Sequence, residues 1–192
     1  MRRFSVRWMV ILALAVCLGL PGGAWGANFN YAGFRGEWGL RFGYGKSLRK
    51  ASVQLYSVLP RWGIYFLRPG HKLGRLGLAF VLEGIISVAN AEDTGAEVGI
   101  TPMLKATYLL TPWAIFFLEG GAGVISESFS SPALAHAFNF TPQVGGGLDF
   151  AVTSRLGLSV AYRFRHSSNA GLYKENPAFD VSFFHAGLTY YY

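Results

Sequence analysis

Apolar and polar residues alternate with a period of two along most of the chain after residue 26, and clusters of turn residues interrupt the alternation. In the first stretch, 37–44, Trp38, Leu40, Phe42 and Tyr44 share one face, while Glu37, Gly39, Arg41 and Gly43 share the other. A second covers about 51–67, and Pro60 is expected to mark a bend or bulge in it. The third, 75–89, sets Leu76, Leu78, Phe80, Leu82, Ile86 and Val88 against Gly77, Ala79, Glu83 and Ser87. The fourth, about 96–110, separates Val98, Ile100, Leu104, Tyr108 and Leu110 from Glu97, Gly99, Thr101, Lys105 and Thr107. The fifth, 113–126, is apolar on both faces, and its phase is ambiguous around Glu119. The sixth, about 138–152, puts Phe138, Phe140, Val144, Leu148, Phe150 and Val152 opposite Asn139, Thr141, Gln143, Gly145, Gly147 and Asp149. The seventh, 155–168, splits Leu156, Leu158, Val160, Tyr162 and Phe164 from Gly157, Ser159, Ala161, Arg163 and Arg165, and the eighth runs from about Asp180 to the last residue. No window after residue 26 holds 18 uninterrupted apolar residues, so the pattern predicts strands and not a membrane-spanning helix.

One face of nearly every predicted strand is large and apolar; the other is glycine, small polar or charged. That polar set is too small to clothe a soluble barrel. With the apolar face toward lipid, the narrow interior of an eight-stranded barrel is filled by the small and polar side chains. Glu37, Arg41, Glu83, Glu97, Lys105, Asp149, Arg163 and Arg165 then form an interior network in which both signs are available for pairing. Trp38, Trp62, Trp113, Tyr162, Tyr190 and Tyr191 fall near strand ends, as an aromatic girdle requires. In lipid a meander must close, because an open edge leaves backbone groups unsatisfied. The expected fold is therefore all-β, an eight-stranded antiparallel transmembrane β-barrel over 27–192.

Residues 1–26 read as a secretory signal peptide: Arg2, Arg3 and Arg7, an apolar run from Trp8 to Leu20, a Pro-Gly-Gly break, and the small-x-small triplet Ala24-Trp25-Gly26, with cleavage after Gly26. The run is shorter than the roughly 20 residues a spanning helix needs. Processing changes the charge. The formal +7 loses three arginines and falls to +4, and the single cysteine goes too, so neither a nucleic-acid partner nor a disulfide or cysteine-based zinc site is expected. With 14% charged and 16% aromatic residues the chain is not a disordered one.

Candidate chemistry gathers in RFRHSSNAGLYKENPAFD, residues 163–180. His166 and Ser168 are two apart and so stand on one face of a strand, and Asp180 opens the antiparallel neighbour. A nucleophile, a base and an orienting carboxylate can therefore converge across one strand pair. All three share the lipid-facing parity, where polar residues are costly and tend to be functional. The bland reading is a strand that has already left the membrane, with ordinary loop residues and an Asn176-Pro177 turn.

His166-Ser167-Ser168-Asn169-Ala170-Gly171, then Asn176-Pro177 and a carboxylate fourteen residues after the histidine, resembles the lipid A 3-O-deacylase (PagL) family of outer-membrane barrels. FLEGGAG at 117–123 and FNFTPQVGGG at 138–147 extend the likeness more faintly. The resemblance implies Ser168 as nucleophile, His166 as general base and Asp180 as orienting acid, with oxyanion donors from Asn169 or near Asn176. It implies hydrolysis of the ester-linked 3-hydroxyacyl chain at the 3-position of lipid A in the bacterial outer membrane, with lipopolysaccharide as the partner and no cofactor, by a monomer or homodimer. The family's familiar acid is Glu where this chain has Asp180, so Glu175 competes for the role. The competing reading from another class is a non-enzymatic structural or adhesive barrel.

Other features rank lower. His71, His136 and His185 lack partners at metal-ligand spacing, so no metal site is expected. The glycine runs at 120–123 and 145–147 precede no helix and read as close packing inside the barrel. Lys46, Arg49 and Lys50 read as a solvated turn, or as contacts to lipopolysaccharide phosphates if they lie on the outer side.

Overall fold

The computed structural model describes residues 27–48, 52–72 and 74–192; residues 1–26, expected to be a signal peptide, and Arg49, Lys50, Ala51 and Leu73 lie outside the described residues. Eight strands follow in order: β1 Gly36–Ser47, β2 Gln54–Leu67, β3 Leu76–Asn90, β4 Thr94–Thr111, β5 Ala114–Glu127, β6 Phe138–Ala151, β7 Leu156–Ser167 and β8 Phe179–Tyr191. Each pairs antiparallel with the next, and β8 pairs back onto β1, so the barrel is closed. Every strand end lies within three residues of where the alternation begins or stops. β1 gains the most at its far end, because Gly45, Lys46 and Ser47 continue the ladder opposite Phe183, Ser182 and Val181.

The register sets the tilt. From Glu37, paired residues run through Gly63, Val81, Met103, Gly121, Gln143, Arg165 and Val181 and return to β1 at Ser47, ten residues beyond the start. A closed sheet with that stagger must incline its strands to the barrel axis.

Even-numbered residues point to lipid and odd-numbered ones inward. Phe42, Leu104 and Val144 are 58%, 63% and 61% exposed, whereas Glu37, Arg41, Glu83, Glu97 and Asp149 are completely buried. β5, ambiguous in sequence, takes the same phase: Ile115, Phe117, Glu119 and Ile125 face in, and Phe116 and Leu118 face out. Two differences from the sequence reading are local. Pro60 leaves the register unbroken on either side, because Gly84 lies across from it and a Cβ there would come within 3.0 Å of the proline ring; the bulge falls at Tyr65/Leu67 instead. Tyr191 is no girdle residue. Its ring is buried inside the barrel, stacked on Phe34 at 4.2 Å, and its hydroxyl donates to Asp149.

The interior is an ion-pair network. Glu119 accepts from Arg41 at 3.1 Å and Arg61 at 2.7 Å, Arg61 also reaches Glu83 at 2.6 Å, and Arg163 bridges Glu83 and Glu119. Lys105 pairs with Glu37 at 2.7 Å and Arg165 with Glu97 at 2.6 Å. Burial is tolerated here because the charges are paired and hydrogen-bonded. A cavity of about 10 Å³ among Ser57, Gln143, Arg163, Arg165 and His185 has room for one water, so the barrel is a filled cylinder and not a pore. The glycine runs follow from the same crowding: a Cβ on Gly147 would lie 2.1 Å from Val160 O.

The two ends differ. One is closed by connections 112–113, 152–155 and 68–75, and the other carries 48–53, 91–93, 128–137 and 168–178. At the first end the N-terminal segment turns into the barrel mouth. Phe29 and Asn30 donate backbone N–H groups to Pro112 O at 2.8 Å and Ser154 O at 2.9 Å. A single 3-10 turn, Tyr31–Gly33, then buries Tyr31, with Phe34 just beyond it, and the Tyr31 hydroxyl donates to Arg75 O at 2.7 Å.

Candidate active site

The long-loop end holds every residue singled out in 163–180. β7 and β8 place His166 directly opposite Asp180. Both are outward-facing, and His166 Nδ1 lies 2.8 Å from Asp180 Oδ1. The imidazole and carboxylate side chains are 40% and 26% exposed, so the pair is open to whatever lies beside the barrel. A carboxylate on Nδ1 fixes that nitrogen as the donor and leaves Nε2 as the basic one. Among the described residues, Nε2 of His166 makes no hydrogen bond.

Ser168 stands one step past the end of β7, on the same side as His166. Phe140 of β6 holds it: the Phe140 N–H donates to Ser168 O at 2.7 Å, and the Ser168 N–H donates to Phe140 O at 3.2 Å. Its hydroxyl, half-buried, makes no hydrogen bond among the described residues. The structure thus joins His166 to Asp180 and sets Ser168 next to them without a Ser168–His166 hydrogen bond. Such bonds commonly tighten only when substrate is bound.

Asn169 and Asn176 meet each other. Asn169 is buried; its Nδ2 donates to Glu175 O at 2.7 Å, its Oδ1 accepts the Gly171 N–H at 2.9 Å, and its own N–H donates to Asn176 Oδ1 at 3.0 Å. The chain can make this knot only by turning left-handed at Ala170 (φ 54°) and Gly171 (φ 83°). Glycine adopts that region freely; alanine pays roughly 1–2 kcal/mol for it. Asn176 Nδ2 and the Ala170 N–H carry no hydrogen bond among the described residues.

Glu175 points elsewhere. Its side chain is 69% exposed, and Oε2 lies 3.8 Å from Nε2 of His136 in the 128–137 connection. His136 in turn stacks on Tyr173 at 3.9 Å, tying the two long loops together. Nothing in the sequence signalled that contact, which joins residues 37 apart through two irregular loops. Two other supports are more legible. Ser167 and Asn139 have the interior parity, and both donate to Glu127 Oε2, at 3.3 and 2.8 Å, steadying β7 from inside. On the outside of the loops, Asp93 accepts from Ser130 N–H at 2.6 Å and Ser130 Oγ at 2.8 Å, and these donors hold its carboxyl below the usual range.

The remaining histidines are apart from the site. His71 lies in the 68–75 connection, and His185 is buried inside the barrel against Gly43. Among the described residues no three His, Cys, Asp or Glu side chains gather as metal ligands.

Comparison with known proteins bears on the family and the fold. The family model for lipid A 3-O-deacylase (PagL) matches residues 22–189. A stretch of 80 residues is 35% identical to lipid A deacylase PagL of Bordetella bronchiseptica, spanning 40% of this chain and 40% of that relative's length. Among solved structures, the outer membrane enzyme PagL superposes with a TM-score of 0.64 at 19% identity, over 78% of this chain and 97% of that one. Neisserial surface protein A superposes at 0.51 with 14% identity over 83% and 97%, and the attachment invasion locus protein Ail of Yersinia pestis at 0.50 with 15% identity over 82% and 99%. The superpositions show an outer-membrane barrel fold common to enzymes and surface proteins. The family match covers β1 to β7 and all but the last two residues of β8, and on it the chain belongs to the lipid A 3-O-deacylase (PagL) family.

Proposed function

We propose that the protein hydrolyses the ester-linked 3-hydroxyacyl chain at the 3-position of lipid A, using Ser168, His166 and Asp180 on the lipid-facing side of the barrel. The observation that carries this reading is the 2.8 Å contact between His166 Nδ1 and Asp180, with Ser168 two residues further along the same face. The fold alone does not separate a deacylase from an adhesive barrel, since the likeness extends to a surface protein and an attachment protein. The polar trio favours the deacylase. A lipid-facing carboxylate and imidazole are costly unless used, and a purely structural barrel has no need of them.

In the outer membrane the end with longer loops faces outward, which is the leaflet that contains lipid A. His166 Nε2 takes the proton of Ser168 Oγ as the oxygen attacks the ester carbonyl, and Asp180 stabilises the imidazolium that forms. Asn176 Nδ2 and the Ala170 N–H are the donors left for the oxyanion, while Asn169 holds both in place through its three hydrogen bonds. Collapse breaks the acyl C–O bond, and the sugar oxygen leaves with the proton from His166. Water, deprotonated by the same imidazole, then releases the 3-hydroxy fatty acid and restores the serine.

Mass spectrometry of lipid A after incubation with purified protein tests the reaction. Loss of one 3-hydroxyacyl group is expected, and Ser168→Ala and His166→Asn should each abolish it while leaving the barrel folded. Near-normal activity in either variant overturns the assignment.

A further inference from the structure

The lipid-facing row of β1 is apolar through Trp38, Leu40 and Phe42 and then ends in Tyr44 and Lys46. Lys46 pairs across with Gln54 of β2 on one side and with Ser182 of β8 on the other. All three have the outward parity, so three hydrogen-bond donors stand side by side on the outer wall, roughly 5 Å apart. Tyr44 Oη donates to Gln54 Oε1 at 3.4 Å, which leaves the amide NH₂ as the free end of Gln54. Lys46 is exposed, and among the described residues it has no carboxylate within ion-pair distance and Ser182 Oγ has no hydrogen bond. An ammonium on a lipid-facing wall costs about 2–4 kcal/mol at the bilayer midplane and little at the interface. Its place here marks headgroup depth with no protein anion to answer it.

The row adjoins the candidate active site. Just beyond Lys46, the Leu48 N–H donates to Asp180 O at 2.9 Å, so Asp180 is the next outward residue of β8 above Ser182. The ten-residue stagger makes a cross-strand row climb from β8 through β1 to β2, by about 3 Å per strand at ordinary strand tilt. Lys46 and Gln54 are thereby lifted to the level of His166, two and three strands from it, within the breadth of a disaccharide headgroup. A long lysine stem can carry its charge further toward the water.

We propose that Gln54, Lys46 and Ser182 form a phosphate-binding row that seats a phosphoryl group of lipid A beside the His166–Asp180 pair, and so select a phosphorylated substrate. This inference rests on the lipid A reading of the site. The row supplies a point charge flanked by two neutral donors, the set that a phosphate monoester with its several acceptor oxygens takes. A merely structural role for Lys46 would act on every substrate alike.

The test uses the full barrel in detergent with Ser168→Ala as background, so that binding is read without turnover. Affinity is measured for lipid A and for the same lipid A treated with phosphatase, with phosphatidylglycerol micelles as a competing phosphate source. The Lys46 protein should prefer the phosphorylated form by about tenfold. Lys46→Ala should collapse that preference, Lys46→Arg should keep it, and phosphatidylglycerol should compete poorly. Heat-modified mobility on gels confirms that each variant is folded. No preference in the Lys46 protein, a preference that survives Lys46→Ala, equal weakening toward both lipids, or efficient competition by phosphatidylglycerol overturns the proposal. Turnover by Ser168→Ala would instead defeat the nucleophile assignment and leave the binding ratio to decide this one.

Discussion

At the scale of single residues, the question is which carboxylate serves His166. Asp180 lies 2.8 Å from Nδ1 and is held in register by the β7–β8 ladder, whereas Glu175 is largely exposed and leans toward His136. A group fixed by a strand ladder can orient an imidazole through a reaction; one on a mobile stem in a loop cannot. Asp180→Asn keeps the size and removes the charge, and the loss expected is orders of magnitude, about 10⁴-fold in the serine-protease template. Asp180→Glu should retain measurable rate, and Glu175→Gln should change it less than about twofold. Initial deacylation rates on purified lipopolysaccharide, the three variants side by side, decide the matter; a dead Glu175→Gln beside an active Asp180→Asn would move the acid into the loop. The His166–Asp180 contact was legible in the sequence because parity and antiparallel pairing are arithmetic. The roles of Asn169 were not, because its hydrogen bonds depend on left-handed backbone at Ala170 and Gly171 that no periodicity announces. Ala170→Gly removes the strain there and should raise stability by about 0.5–1 kcal/mol, read as a shift in the urea midpoint.

At the scale of elements, the strands were legible and the segment before them was not. Period-two alternation located all eight strands to within three residues. Residues 27–35 have no period, so their place in the barrel mouth follows only from the fold. Tyr31 is the peg: its hydroxyl donates to Arg75 O at 2.7 Å and lies 3.1 Å from Thr107 O. Burial pushes the Tyr31 phenol up to about 12, against a smaller lowering by the Thr107 hydroxyl. Because the folded value is raised, the contribution is whole below the ordinary tyrosine value near 10 and is lost as pH rises through about 12. Tyr31→Phe gives up the hydrogen bonds, at roughly 1–2 kcal/mol, and also this part of the alkaline sensitivity. Urea unfolding of both proteins at pH 8 and pH 11 should therefore show the gap between them narrowing at the higher pH. A gap that stays constant would mean that the hydroxyl titrates as it does in the unfolded chain.

At the scale of the whole molecule, one pattern serves two purposes: the outward face meets lipid, and the inward face must neutralise itself. The network predicted from eight charged residues is present, but its centre is Arg61 and Glu119, one on the strand with Pro60 and the other on the strand of ambiguous phase. Neither could be placed from alternation alone, since a strand apolar on both faces gives no sign of which side is in. Closure gives it: once β4 and β6 are fixed, β5 must pair with both, and Glu119 comes opposite Lys105 and Gly145. There it meets Arg41, Arg61 and Arg163 together. Removing one member of a buried ion cluster leaves uncompensated charge, at a cost of about 3–5 kcal/mol, whereas replacing a pair by apolar groups of similar volume is far milder. Among the described residues, Glu119→Gln leaves Arg41 with no carboxylate, Arg163 with Glu83, and Arg61 with Glu83 and a 3.7 Å contact to Glu37, and it should lower the unfolding free energy by that amount, measured by urea titration in detergent with gel mobility as the readout. Glu119→Leu combined with Arg163→Met should cost less than Glu119→Gln, even though it deletes more hydrogen bonds. If the double variant is the weaker one, the cluster stabilises the barrel by its hydrogen bonds and not by its charge balance. If Glu119→Gln changes the midpoint by less than about 0.5 kcal/mol, within the range of ordinary surface substitutions, water inside the barrel is already screening the arginines.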